Sequence, residues 1–288
     1  MTTLIRIEVE KIVRRRLNQI VLGVFLSLLI VVYVLLWLAT DVISEAGGGE
    51  VGDLRSALFL EETVPFAILL IYSFGFAAGV VVIGASIGSE YAWNTVRTLT
   101  SVEPRRSRLL TAKLIALWGT IVVGLILGLV VSVATSSLIT IADGQIDLSF
   151  VDLSYVRDSA YAFLRMLVGT APYFGLALMF GVVGRSATAG IALALGVGFL
   201  EGIVSGLMQL AGGWLGELPK YMLDRNTDSL AFTRGGPFDA IAGQGTALGD
   251  LFEQPSVWHS VWVLSAWTTL FVLTAFWTFR RQDLEYQG

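Results

Sequence analysis

Five stretches of this chain carry no Asp, Glu, Lys or Arg: residues 17–40, 63–89, 114–142, 166–184 and 254–279. A sixth, roughly 187–210, is apolar except for Glu201. A helix rising ~1.5 Å per residue crosses a hydrocarbon core in about 20 residues. Runs this long exceed barrel strands and lack strict alternation, so helices are the form they predict. Only 15% of residues are charged, against about 25% in soluble domains. The expected fold is all-α, a polytopic membrane protein with six transmembrane helices.

Charge then sets the orientation. With both termini in the cytoplasm, the inner segments 1–18, 85–113, 184–187 and 280–288 hold five, five, one and two Lys/Arg, 13 of the 19. Arg55, Arg157, Arg165, Lys220, Arg225 and Arg234 fall outside or near the outer face, together with most of the acids. Lys/Arg bias fixes topology, so the expected location is the cell membrane, multi-pass, termini inside. Trp37, Trp214, Trp258 and Trp262 are expected at outer interfaces and Trp118 and Trp277 at inner ones.

Residues 1–18 form a separate unit. Ile5, Val9, Ile12, Val13, Leu17 and Ile20 cluster on one side of a helical wheel, with Glu8, Lys11, Arg14 and Arg15 mostly opposite. This predicts an N-terminal amphipathic helix lying in the inner interface; a charged extension of the first span is the plainer reading. The basic start before residues 20–38 imitates a signal peptide, but the apolar run is too long, so a retained first helix is expected. Residues 19–288 then make the six-span domain. Its longest outer loop, 211–258, has helical stretches at Leu218–Leu223 and Ala247–Phe252.

Several chemistries are excluded or left bare. Net charge is −4, which predicts no nucleic-acid partner, and there is no cysteine for disulfides, thiol catalysis or metal. Gly84-Ala85-Ser86-Ile87-Gly88 matches a nucleophile elbow, but that motif needs a strand–turn–helix setting. The lone His259 belongs at the opposite face, as an interfacial anchor. Small residues at a helix exit explain the glycines without catalysis. Glu61 and Glu62 open the second span, where acids suit the helix dipole. No phosphate loop occurs. The chain is therefore expected to have no catalytic residue, metal or cofactor of its own.

The inner segment 85–113 is polar, basic and much longer than a turn requires. Arg105, Arg106, Arg108 and Lys113 satisfy the positive-inside rule alone, but that rule leaves the helix around Glu90, Thr95 and Leu99 unexplained. The pattern Glu90, Thr95, Arg97, Leu99, Pro104, Arg108, Lys113 resembles the first inner loop of type-2 ABC exporter permeases, including bacitracin-exporter-like permeases. The ending Phe279-x-Arg281-x-Asp283-Leu284 is similar to that family's as well, though Asn94 stands where the family usually has Gly. The resemblance covers the whole chain. It implies a non-catalytic permease subunit, paired with a second copy or a paralogous permease and driven by two cytoplasmic ABC ATPase subunits that carry ATP and Mg. It also implies a coupling helix, with Glu90, Trp93, Thr95, Arg97, Leu99, Pro104 and Arg108 contacting the ATPase. Lipid, peptide antibiotic, drug and a role in metal-enzyme assembly all stay open for its substrate. An ion-coupled secondary transporter is the alternative, and an intramembrane enzyme a third.

Two features sit within the fifth span. Gly190, Ala194, Gly198, Gly202 and Gly206 recur every four residues, a small-residue ridge that lets helices approach closely in lipid. We expect it at the contact between two permease copies, with packing inside one copy as the other reading. Glu201 flanks the ridge, at a depth where a charge costs roughly 2.5–3.5 kcal/mol on insertion scales. An ion pair with Arg165 or a polar spot on the substrate path would account for it.

Overall fold

The computed structural model describes residues 1–45, 55–93, 95, 105–144, 149–231 and 255–282. Among these residues it is helical throughout, with no strand. A first helix, α1 (Thr2–Arg14), ends where Arg15 turns extended. Then come α2 (Arg16–Glu45), α3 (Thr63–Ala92), α4 (Arg106–Ala142), α5 (Leu153–Val183) and α6 (Ala187–Ala211). Two short helices, α7 (Gly213–Glu217) and α8 (Leu223–Ala231), flank a 3₁₀ turn at Leu218–Tyr221, and α9 (Val257–Arg281) closes the bundle. Helices α2 to α6 and α9 supply six segments long and apolar enough to cross a membrane, so the chain is a multi-pass membrane protein.

The helices outrun the charge-free sequence. At ~1.5 Å per residue, α4 (37 residues) is about 55 Å long, well beyond the ~30 Å of a hydrocarbon core. Helix α5 begins at Leu153, capped by Asp152, whose carboxylate accepts from the Tyr155 N–H at 2.7 Å. Capping by aspartate starts a helix ahead of its apolar run.

Helices α3 and α5 form the buried centre, lined by Ile71, Val80, Phe174 and Leu178. Close approach rests on glycine. A Cβ on Gly88 would stand 1.9 Å from the Ala187 backbone nitrogen, and one on Gly190 would stand 3.1 Å from both Gly84 Cα and Gly181 Cα. The glycines of the elbow-like motif are thus helix-packing contacts.

The ridge on α6 continues this packing. Ala194 is fully buried, and a Cβ on Gly198 would clash with the Phe76 ring at 2.4 Å. Gly202 faces Asp224, while Gly206 has nothing within 4 Å. The expected contact between permease copies is therefore corrected: from Gly190 to Gly202 the ridge meets its own chain. Sequence spacing shows that a close neighbour exists, not which one. The opposite face of α6 exposes Phe199, Leu200, Ile203, Leu207 and Leu210.

A π turn at Ile71–Gly75 interrupts α3. Such turns shift the face that a helix presents. Helix α1 and the C-terminal end of α9 meet at one end of the bundle, called here the near end. There Tyr91 donates to Gln282 Oε1 at 2.8 Å, and Gln282 Nε2 donates to the Val182 carbonyl at 2.8 Å.

Candidate functional site

At the near end, four charges from three helices converge. Lys113 Nζ lies 2.8 Å from Glu8 Oε2 and 2.5 Å from Glu90 Oε1. Lys11 Nζ lies 2.8 Å from Glu8 Oε1 and 2.8 Å from Glu90 Oε1. Two lysines and two carboxylates thus compensate one another and pin α1 to the ends of α3 and α4. Burial opposes ionisation of Glu8, but the Lys113 charge and the hydrogen bonds from both lysines outweigh it and hold its carboxyl below the ordinary value. Burial likewise works against the charge on Lys11, but Glu90 and Glu8 outweigh it and raise the ammonium.

This changes the reading of two residues. Glu8, assigned by the wheel to the polar face, is the most buried residue of α1 at 3% exposure, while Ile7 and Val13 are exposed. Its partner Lys113 is 105 residues away in sequence, beyond the reach of any local pattern. Glu90, expected to touch an ATPase, is 9% exposed and bound to both lysines. Its carboxylate is part of the joint rather than of the outer surface.

Beside the joint the chain offers a different surface. Trp93 is 68% exposed, with the Arg15 guanidinium 5.2 Å above its ring. Arg15 also donates to the Ala85 carbonyl at 3.0 Å and to Ser89 Oγ at 2.7 Å. Thr95 Oγ1 donates to the Glu90 carbonyl at 3.2 Å, satisfying the end of α3. Arg108 is exposed on the first turn of α4. Of the expected coupling residues, Arg97, Leu99 and Pro104 lie outside the described residues. Glu8, Lys11, Arg15, Ser86, Trp93 and Thr95 help to line a cavity of about 530 Å³.

A second polar cluster lies toward the far end. The positive φ of Gly212 (67°) and Gly213 (59°) turns the chain back after α6. The following segment re-enters the bundle. Leu223 N–H donates to Glu201 Oε1 at 2.5 Å, Thr227 Oγ1 to the Gly169 carbonyl at 3.3 Å, and Trp267 Nε1 to the Tyr221 carbonyl at 2.9 Å. Glu201 lies ten residues before the end of α6, about 15 Å down the helix. Leu223–Ala231, part of the expected outer loop 211–258, therefore folds back into the bundle as a re-entrant helix. Of the two helical stretches expected there, Leu218–Tyr221 is a 3₁₀ turn, and Ala247–Phe252 lies outside the described residues.

Glu201 caps this helix through Oε1, and its Oε2 is buried without a hydrogen-bond partner. The expected ion pair with Arg165 is corrected: Glu201 satisfies an orphan N–H of the re-entrant helix instead. Helix N-termini attract carboxylates through such donors. Nearby, Ser205 Oγ donates to Asp224 Oδ2 at 3.0 Å. Asp228, in α8 outside the six spans, is pushed up to about 7 by burial and by Asp224, against the pull of Arg225. Arg225 also donates to Gln209.

Two other sequence candidates resolve simply. Ser86 is buried, and the imidazole of His259 contacts the Lys220 carbonyl at 2.9 Å, leaving the elbow motif without that base. Trp214, Trp258, Trp262 and Trp277 are exposed, whereas Trp118 packs edge-on against Phe174, 5.6 Å between ring centres. Among the described residues, no group of three or more His, Asp or Glu could hold a metal ion. A family model described as a protein of unknown function (DUF2705) matches residues 60–284, most of the chain. No curated protein matches it.

Proposed function

The chain belongs to the DUF2705 family of proteins of unknown function, and within that family we propose that it is the membrane-spanning permease subunit of an ATP-driven exporter. A separate cytoplasmic ATPase docks on the segment around Glu90–Arg108 and drives the six spans between conformations. The observation that carries this reading is the pairing of an exposed Trp93 with a buried ionic joint directly behind it. An exposed aromatic beside polar residues offers a partner its anchor. The joint then connects that anchor to α1, α3 and α4 at once. A docked partner shifts a conformational equilibrium only through contacts that differ between states, and a rigid connection to three helices supplies them. The near end is the cytoplasmic side in this reading, which the Lys/Arg distribution supports.

Reconstitution with a phosphate-loop ATPase encoded beside this chain tests the proposal. ATP hydrolysis is expected to rise when the permease is present, and Trp93→Asp with Leu99→Asp is expected to abolish the rise. Unchanged stimulation contradicts the docking surface. For orientation, Ser101→Cys and Leu153→Cys are expected to label from opposite faces. Leu153 is 85% exposed and therefore accessible to the reagent.

The buried Glu201 and the re-entrant helix favour one second reading, an ion-coupled transporter, because intramembrane carboxylates serve proton and ion pathways. Transport that persists without ATP and collapses with a protonophore would select it.

A further inference from the structure

A second, apolar cavity adjoins the near-end one. Ile12 lines both. The second has a volume of about 280 Å³ and runs between α2, α3 and α4, past Leu22, Phe25, Ala78, Val82, Gly124 and Leu127. Along α3, Val82 lies eight residues and Gly75 fifteen residues from Glu90, or about 12 and 22 Å. One leaflet of hydrocarbon is about 15 Å deep, so the groove covers the depth of an acyl chain.

The polar cavity is cationic: Lys11, Arg14, Arg15 and Lys113 line it against only Glu8 and Glu90. The two lysines are neutralised by those carboxylates, and Arg14 pairs with Glu10 at 2.7 Å. Arg15 differs. Its contacts among the described residues are the Ala85 carbonyl, Ser89 Oγ and the Trp93 ring, none of them anionic. It is half-buried and held in place without a counter-ion. Ser86, 7% exposed, lines the same cavity, and its Oγ has no hydrogen-bond partner. At the mouth of the groove, Asn18 donates to the Ile12 carbonyl while its Oδ1 is buried without a donor.

We propose that this cavity and groove together bind one anionic phospholipid, its phosphate against Arg15 and Ser86 and one acyl chain along α2, α3 and α4. A fixed cation without an anion, an orphan hydroxyl and a leaflet-deep apolar slot are the three parts such a molecule needs. Charge complementarity selects an anionic headgroup over a zwitterionic one. The site needs the six spans to lie in a bilayer. It does not need the ATPase, so it stands or falls separately from the exporter reading.

The test is native mass spectrometry of the detergent-purified chain, offered equal amounts of phosphatidylglycerol and phosphatidylcholine. The wild type is expected to retain phosphatidylglycerol preferentially. Arg15→Gln should lower that retention roughly fivefold, the weight of one basic side chain at a membrane surface. Gly124→Leu should lower it by filling the slot; a Cβ there meets only Leu22, at 3.7 Å. Equal retention of both lipids by the wild type overturns the proposal without recourse to any variant. So does phosphatidylglycerol retention unchanged in two variants that elute as folded protein. Inorganic phosphate that displaces the lipid's thermal stabilisation in full would reduce the site to a simple anion pocket. Copy-to-copy cross-linking of Gly124→Cys in membranes would give the groove to a second copy of the chain. Either result overturns the lipid assignment.

Discussion

The two ends of this bundle handle buried charge in opposite ways. At the near end, Glu8, Lys11, Glu90 and Lys113 satisfy one another across α1, α3 and α4. Toward the far end, Glu201 gives one oxygen to the Leu223 N–H and leaves the other buried and unpartnered, with Asp224 and Asp228 close by on the re-entrant helix. The first arrangement is a joint, since balanced charges with good geometry fix the relative positions of the elements that carry them. The second leaves a buried carboxylate oxygen without a hydrogen bond and holds the Asp228 carboxyl above its ordinary value.

Breaking the joint should have the largest effect. Lys113→Met leaves the two buried carboxylates with only the partly exposed Lys11 between them, and removing one partner of a buried ion pair costs about 3–5 kcal/mol. Thermal unfolding in detergent should show it as a large fall in melting temperature. Adding Glu8→Gln to Lys113→Met removes the excess negative charge and leaves Glu90 paired with Lys11, so it should recover part of the loss. If Lys113→Met melts like the wild type, the joint is not structural.

A paired glycine experiment should have the next largest effect. Gly88→Ala places a methyl group against the Ala187 backbone, and overpacking of this kind costs about 1–3 kcal/mol. Gly206→Ala meets open space and should leave the melting temperature within error. Equal effects at the two sites would contradict the packing described for α3 and α6.

Glu201 sharpens the contrast. Glu201→Gln keeps an acceptor for the Leu223 N–H, so folding should be little changed. Glu201→Leu removes the cap and should cost about 1 kcal/mol, as lost helix caps do. Transport lost in the Gln variant despite normal folding would place the charge itself on the transport path.

The smallest effect is a pH dependence. The Asp228 carboxyl is raised in the folded protein from 3.8 to about 7. Between those values the folded state binds more protons than the unfolded state, so its stability falls as pH rises through the window. Asp228→Asn should therefore raise the melting temperature at pH 8 and give a shrinking advantage as pH falls toward 4. The joint has the reverse pattern. Lowered Glu8 contributes above its ordinary value of 4.5, and that contribution is lost as pH falls through the lowered value. Raised Lys11 contributes below 10.5 and loses its contribution as pH rises through the raised value. The near end should thus be insensitive to pH from about 5 to 10, while the far end titrates within that range.

Six spans were legible because solvation in lipid acts residue by residue, and a charge-free run of 20 announces itself. The run at 63–89 became Thr63–Ala92, and 187–210 became Ala187–Ala211. Helix α5 was less legible, since Arg157, Asp158 and Arg165 precede its charge-free stretch within the same helix. The joint was invisible because Glu8, Glu90 and Lys113 come from three distant segments, and a lone acid on an amphipathic helix reads as solvent-facing. The re-entrant helix was missed for a related reason: Leu223–Ala231 is polar by composition, and several of its hydroxyl and acid groups find partners on distant segments, Asp224 on α6 and Thr227 on α5. The ridge on α6 was seen correctly as a close contact but assigned to the wrong neighbour, because spacing encodes proximity and not identity.

The central claim is that the segment around Trp93 receives an ATPase and the joint behind it passes the force on. Affinity purification from native membranes, with identification of the retained proteins, tests it most directly. The wild type should retain a phosphate-loop ATPase in stoichiometric amount. Trp93→Asp with Leu99→Asp should retain roughly tenfold less, about 1.4 kcal/mol of binding, while melting like the wild type. A wild-type chain that brings down no such ATPase, or a double variant that brings down as much, would contradict the account.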